Sequence, residues 1–205
     1  PWVSSAIRNQ FNLVAGAIGS GTMGENFYEP EDIPDPQNGT AFAVYSDDDH
    51  SLMFYKRRGV PQVGDMFSYR RVTEVYTGFE TDRYTPIDYN ASNDATNAPW
   101  YSRSSDCKRV SVVDSGIRPS SIAFWFHRFK NCISFDVSKL DTSSVSDIEH
   151  IFYDCGNVKD LDLSTWDLSH CVTAVSAFAY CRNLESIEFG PISTADFKSY
   201  GCYWM

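Results

Sequence analysis

The chain has 205 residues, 42% of them hydrophobic and 15% aromatic, enough to bury a sizeable core in one domain or two small ones and too apolar for a disordered segment. Its formal charge of -10 argues against a nucleic-acid backbone or an anionic membrane as the main partner, since both demand clustered Lys and Arg. No apolar run reaches the roughly 18 to 20 residues of a membrane span, and the first residues carry neither the basic flank nor the apolar core of a secretion signal.

Residues 5–16 suit a short helix, and Gly19, Gly21 and Gly24 then satisfy the G-x-G-x-x-G pattern. A dinucleotide site needs a helix to start there. The chain instead meets Pro30, Pro34 and Pro36, each of which removes a donor and turns its predecessor away from helix. No cofactor is expected, and residues 1–40 read as an arm or linker with a boundary near Gly39.

From Ala41 the pattern becomes strand-like. Residues 41–45 and 51–56 flank Asp47-Asp48-Asp49-His50, a polar turn between two aromatic runs and hence a hairpin. Residues 71–77 suit a further strand, and residues 81–105, rich in Asp, Asn, Ser and Tyr, a long loop. Residues 41–107 are therefore expected to form a small β-rich capping module.

The strongest signal is self-similarity at an offset of 26 over residues 108–205. It aligns Asp136 with Asp162, Ser138 with Ser164, Asp141 with Asp167, Ser143 with Ser169, Phe152 with Phe178, Cys155 with Cys181 and Asn157 with Asn183. Phe135, Leu161 and Ile187 form one apolar column, and Val137, Leu163 and Phe189 the next. In-out-in alternation predicts strands. Val145, Ile148, Ile151 and Phe152 recur at helical spacing behind a Ser146-Asp147-Ile148-Glu149 capping box, which predicts a short helix. In the next unit Val172, Val175 and Phe178 carry that spacing, with Cys171 as an insertion; an earlier, imperfect unit starts at Arg109, with Pro119 in its first helical turn. The expected fold class is α/β, a short leucine-rich-repeat-like solenoid with parallel strands on one face and short helices on the other. Residues 196–202 then read as a clipped last helix that caps the coil together with Tyr203 and Trp204.

Parallel stacking would place Asp136, Asp162 and Glu188 in one outward column about 4.8 Å apart, available to a basic partner or a cation, or else simply a solvated acidic ladder. One carboxylate column supplies too few oxygens for calcium. Asn131, Asn157 and Asn183 are expected to form an internal structural ladder, and Cys155 and Cys181 to stack as free buried thiols. The six cysteines contain no C-x-x-C pair, so neither a zinc site nor a disulfide scaffold is expected. His50, His127, His150 and His170 sit in unrelated contexts without a recognisable nucleophile, which argues against an enzyme.

The runs from Phe135 to Val145 and from Leu161 to Ser169 resemble the BspA-like leucine-rich-repeat surface proteins of bacteria. Similar upstream stretches include Ala43-Val44-Tyr45-Ser46-Asp47-Asp48, Val75-Tyr76-Thr77-Gly78-Phe79-Glu80 and Val113-Asp114-Ser115-Gly116-Ile117. The resemblance covers about residues 41–189. It implies an exported, surface-displayed module without catalytic residues, whose partner is a protein or glycan on another cell or host surface. The alternative is a structural subunit of a phage or cell-envelope appendage that self-assembles through residues 1–39.

Overall fold

A computed structural model describes residues 33–81 and 98–190 of the chain. The helix-compatible stretch at 5–16, the glycine pattern at 19–24, most of the arm and the proposed cap at 196–204 lie outside the described residues. The strands are β1 (Thr40–Ser46), β2 (Ser51–Arg57), β3 (Met66–Phe67), β4 (Arg70–Arg71), β5 (Glu74–Thr77), β6 (Arg109–Val112), β7 (Ser134–Asp136), β8 (Asp160–Leu163) and β9 (Ser186–Phe189).

β1 and β2 form the expected antiparallel hairpin, closing at Ser46 and Ser51 around the Asp47–His50 turn. Its acids anchor neighbours: Asp48 accepts the Arg71 backbone N–H at 2.7 Å, and Asp49 pairs with Arg70 at 2.6 Å and Arg109 at 3.0 Å. His50 sits at φ 54°. The β3–β4 hairpin, which the sequence did not reveal, folds over one face of this sheet. There Phe42, Val44, Tyr55, Phe67 and Val72 make a small second core. Burial on both faces explains why β1 is apolar without alternation. The Pro-rich stretch from Pro34 is docked along the end of β2, where Asp35 N–H donates to the Lys56 carbonyl at 2.8 Å. Below it Arg57 and Asp114 form a buried ion pair at 2.7 Å.

The five-stranded sheet runs β5-β1-β2-β6-β7. β2 pairs with β6 in parallel, Leu52 opposite Val110, and β6 with β7, Val110 opposite Phe135. Module and repeats thus share a sheet with no break at residue 108. They also share the main core, which runs from Ala41 to Phe178. Phe54 stacks on Trp125 at 5.6 Å, and Trp100 donates its indole N–H to the Trp125 carbonyl at 2.6 Å. β8 and β9 form a separate parallel pair, Leu161 opposite Ile187 and Leu163 opposite Phe189.

The expected α/β architecture is overturned. Among the described residues there is no α-helix, the structure is nearly all β, and the only helical element is a three-residue 3-10 turn at Tyr101–Arg103. A leucine-rich-repeat-like solenoid of strands and short helices is therefore not what the chain forms. Where helices were expected, the backbone makes consecutive tight turns. In residues 148–155, Ile151, Tyr153 and Cys155 donate to carbonyls three residues back, those of Ile148, His150 and Phe152. The intervening N–H groups of Ile148, His150, Phe152 and Asp154 donate sideways to Thr173, Val175, Ala177 and Ala179 of the next unit, at 2.8 to 3.0 Å. The same four bonds occur 26 residues earlier, from Ile122, Phe124, Phe126 and Arg128.

Left-handed residues enforce the path. Phe124, His150 and Ser176 have φ of 62°, 53° and 52°, and Arg128, Asp154 and Tyr180 have φ of 62°, 59° and 63°. Both sets repeat every 26 residues, and each positive φ interrupts any helix. Cys171 is no insertion either. It is fully buried in register with Val145, followed by Ala174, Ala177 and Phe178 in register with Ile148, Ile151 and Phe152, while Val172 is exposed.

Candidate functional site

The D-x-S recurrence proves to be turn chemistry. Asp141 accepts the Ser143 N–H at 3.1 Å and its hydroxyl at 2.6 Å, and Asp167 accepts the Ser169 N–H at 2.9 Å. Asp136 takes the Ser138 hydroxyl at 2.8 Å, and Asp162 the Ser164 N–H at 3.0 Å. Hydrogen bonds from Ser164 hold the Asp162 carboxyl below its usual range, and those from Ser169 do the same for Asp167.

Alternation along β7, β8 and β9 turns Asp136, Asp162 and Glu188 outward, and all three are exposed. Asp162 and Glu188 are direct cross-strand partners, whereas the partner of Asp136 is Ser111 on β6. Between β7 and β8 no ladder pairing is formed, so the column is interrupted after Asp136. The gap is bridged by side chains, including the Trp166 indole on the Val137 carbonyl at 3.1 Å. Asp160, missed in the sequence although it lies two residues before Asp162 on the same face, joins the group and accepts the Ser186 hydroxyl at 2.6 Å. None of these four carboxylates has an ion-pair partner among the described residues. Other acids are paired: Glu74 with Arg103 and Glu80 with Lys56 in the module, and Asp35 with Arg58 and Asp114 with Arg57 beside it. The outward face of β7, β8 and β9 therefore presents four carboxylates without an ion pair among the described residues.

Asn131, Asn157 and Asn183 lie on exposed turns rather than inside, and Asn131 donates to the Ser105 carbonyl at 2.7 Å. Cys155 and Cys181 are free thiols one above the other, donating to the Phe126 and Phe152 carbonyls at 3.1 and 3.0 Å. Burial raises both thiol pKa values, that of Cys181 to about 11, which suits inert core groups.

The histidines do not converge on a reactive group. His127 stacks on Tyr101 at 5.8 Å and His150 on Phe124 at 4.8 Å, with Tyr153 against both imidazoles. Ser169 and His170 touch at 3.1 Å on an exposed turn, and no carboxylate bonds the other imidazole nitrogen among the described residues. No cluster of three or more metal-ligating side chains occurs among them, and no described helix is long and apolar enough to cross a membrane.

At the end of the third unit lies an open groove of about 880 Å³, lined by Tyr153, Phe178, Tyr180, Leu184 and Ile187. Fold and surface together define an all-β repeat protein with an acidic strand face. Residues 120–197 match the family described as Mycoplasma protein of unknown function, DUF285. No curated protein and no solved structure matches the chain.

Proposed function

We propose that the chain is a non-catalytic recognition module that acts outside the cell and binds a protein or glycan partner through the outward face of β7, β8 and β9. The observation that carries this reading is the bare acidic face itself: Asp136, Asp160, Asp162 and Glu188 are exposed and without ion pairs among the described residues. Such a surface attracts a partner bearing positive charge and speeds its encounter. The family matched by residues 120–197 is associated with BspA-like surface proteins, which supports display at a bacterial surface.

The test is an array of proteins and glycans probed with the full chain at low and high salt, followed by the triple variant Asp136→Asn, Asp162→Asn, Glu188→Gln. At about 0.2 to 1 kcal/mol per exposed charge, the triple variant is expected to weaken binding about tenfold and to flatten its salt dependence. A ligand whose affinity ignores both salt and the three substitutions would defeat the assignment of this face.

A further inference from the structure

We infer that two copies of this chain pair about a two-fold axis, the β3–β4 hairpin of each seated on the acidic outward face of the other. This pairing rests on that face being the binding surface and names its partner.

The hairpin displays apolar side chains that the rest of the described surface keeps apart. Val63 before β3, Met66 within it and Tyr69 in the turn after it are 68%, 45% and 92% exposed. The other large exposed hydrophobics among the described residues, Ile33, Ile133, Val172 and Tyr180, lie singly elsewhere in the chain. Three such residues on one hairpin mark a contact surface. Ser68 and Tyr69 also take φ of 49° and 64°, in a two-residue turn where Asn-Gly would sit without strain. That tip is firmly mounted. Phe67 and Val72 anchor it in the second core, Arg70 pairs with Asp49, and the Arg71 N–H donates to Asp48. A tyrosine held out on a rigid mount loses little freedom when it docks.

Charge decides what the hairpin docks on. Residues 58–72 carry three arginines against one aspartate, a balance of +2 in a chain of -10. Asp35 and Asp49 hold Arg58 and Arg70, but Arg71 is exposed and has no ion pair among the described residues. Asp136, Asp160, Asp162 and Glu188 are exposed and equally unpaired there, with the opposite sign. Two chains of this net charge repel in most orientations. Hairpin on acidic face is an orientation that sets plus against minus.

Topology lets both contacts form at once. Met53 packs in the second core beneath the hairpin, its partner on β6 is Ser111, and the partner of Ser111 on β7 is Asp136. Cross-strand partners share one side of a sheet, so the hairpin and Asp136 stand on the same side, toward opposite ends of the order β5-β1-β2-β6-β7. A face that is basic and apolar at one end and acidic at the other complements itself when turned by half a rotation, so each copy gives and receives the same contact.

Sedimentation of the full chain from about 10 µM to about 1 mM covers a weak association, and a shift from monomer to dimer is expected. Met66→Ser with Tyr69→Ser should weaken it at least about tenfold without lowering the melting temperature. Arg58→Glu with Arg71→Glu, and separately Asp136→Lys with Asp162→Lys, should each weaken it about tenfold or more. An equimolar mixture of those two variants should recover the dimer, because both contacts then join opposite charges again. A monomer at every concentration overturns the pairing, as does a dimer that these substitutions leave intact or a mixture that stays monomeric. Should a chain that never dimerises bind an array ligand and lose it in the Asp136→Asn, Asp162→Asn, Glu188→Gln variant, only the pairing fails. Should the chain dimerise as described while its array ligand ignores that variant, only the assignment of the face to foreign partners fails.

Discussion

At the scale of single residues, His127 has a measurable cost. It is 5% exposed, packed among Tyr101, Phe124, His150 and Tyr153, and its Nδ1 has no hydrogen-bond partner among the described residues. Burial first, and then the nearby charge of Arg128, depress its pKa to about 3. Above the unfolded value of about 6.5 the ring is neutral in both states and stability is complete. Below it the unfolded chain takes up a proton that the folded chain refuses until about pH 3, so stability falls through this window by at most about 1.4 kcal/mol per pH unit. His127→Phe keeps the ring stack and removes the titration. Its urea midpoint should drop less than that of the natural chain between pH 7 and pH 4.5. Equal drops would mean that other groups govern acid sensitivity. The 26-residue spacing of Tyr101, His127 and Tyr153 was present in the sequence, but three different residue types hid the column.

At the scale of elements, the repeat period and the buried columns were legible because burial leaves an apolar signature whatever the backbone does. The helix was not. A run of tight turns that sends every second N–H to its neighbour buries Ile148, Ile151, Phe152 and Cys155 at the same three- and four-residue spacing as a helix face. What separates the two is the left-handed column, and Phe124, His150, Arg128, Asp154 and Tyr180 do not advertise it as glycines would. Arg128 is the position to probe, being exposed at φ 62°. Relief of about 1 to 2 kcal/mol of backbone strain outweighs the roughly 0.5 to 1 kcal/mol of extra unfolded-state entropy that glycine brings. Arg128→Gly should therefore raise the melting temperature by about 1 to 4 °C, and the β-branched Arg128→Val should lower it. Equal melting temperatures for the two would show that φ at this position carries no strain.

At the scale of the whole molecule, no local pattern could show that β2 and β6 are hydrogen-bonded partners. That pairing joins residues more than fifty positions apart, Leu52 to Val110 and Phe54 to Val112, and long-range register leaves no periodic trace. Its consequence is mechanical unity. Phe54 and Trp100 cover Trp125, the first member of the column continued by Ile151 and Ala177. Removing the module would expose that indole and leave β6 an unpaired edge, losses of the size that unfold marginally stable domains. The full chain is therefore expected to unfold in one calorimetric transition. A fragment of residues 108–205 should lack the fixed aromatic signal in near-ultraviolet circular dichroism and should associate through its bare edge. Two resolved transitions in the full chain, or a fragment that folds as a monomer with native-like aromatic dichroism, would instead make module and repeats independent, and the acidic face could then be studied on the repeats alone.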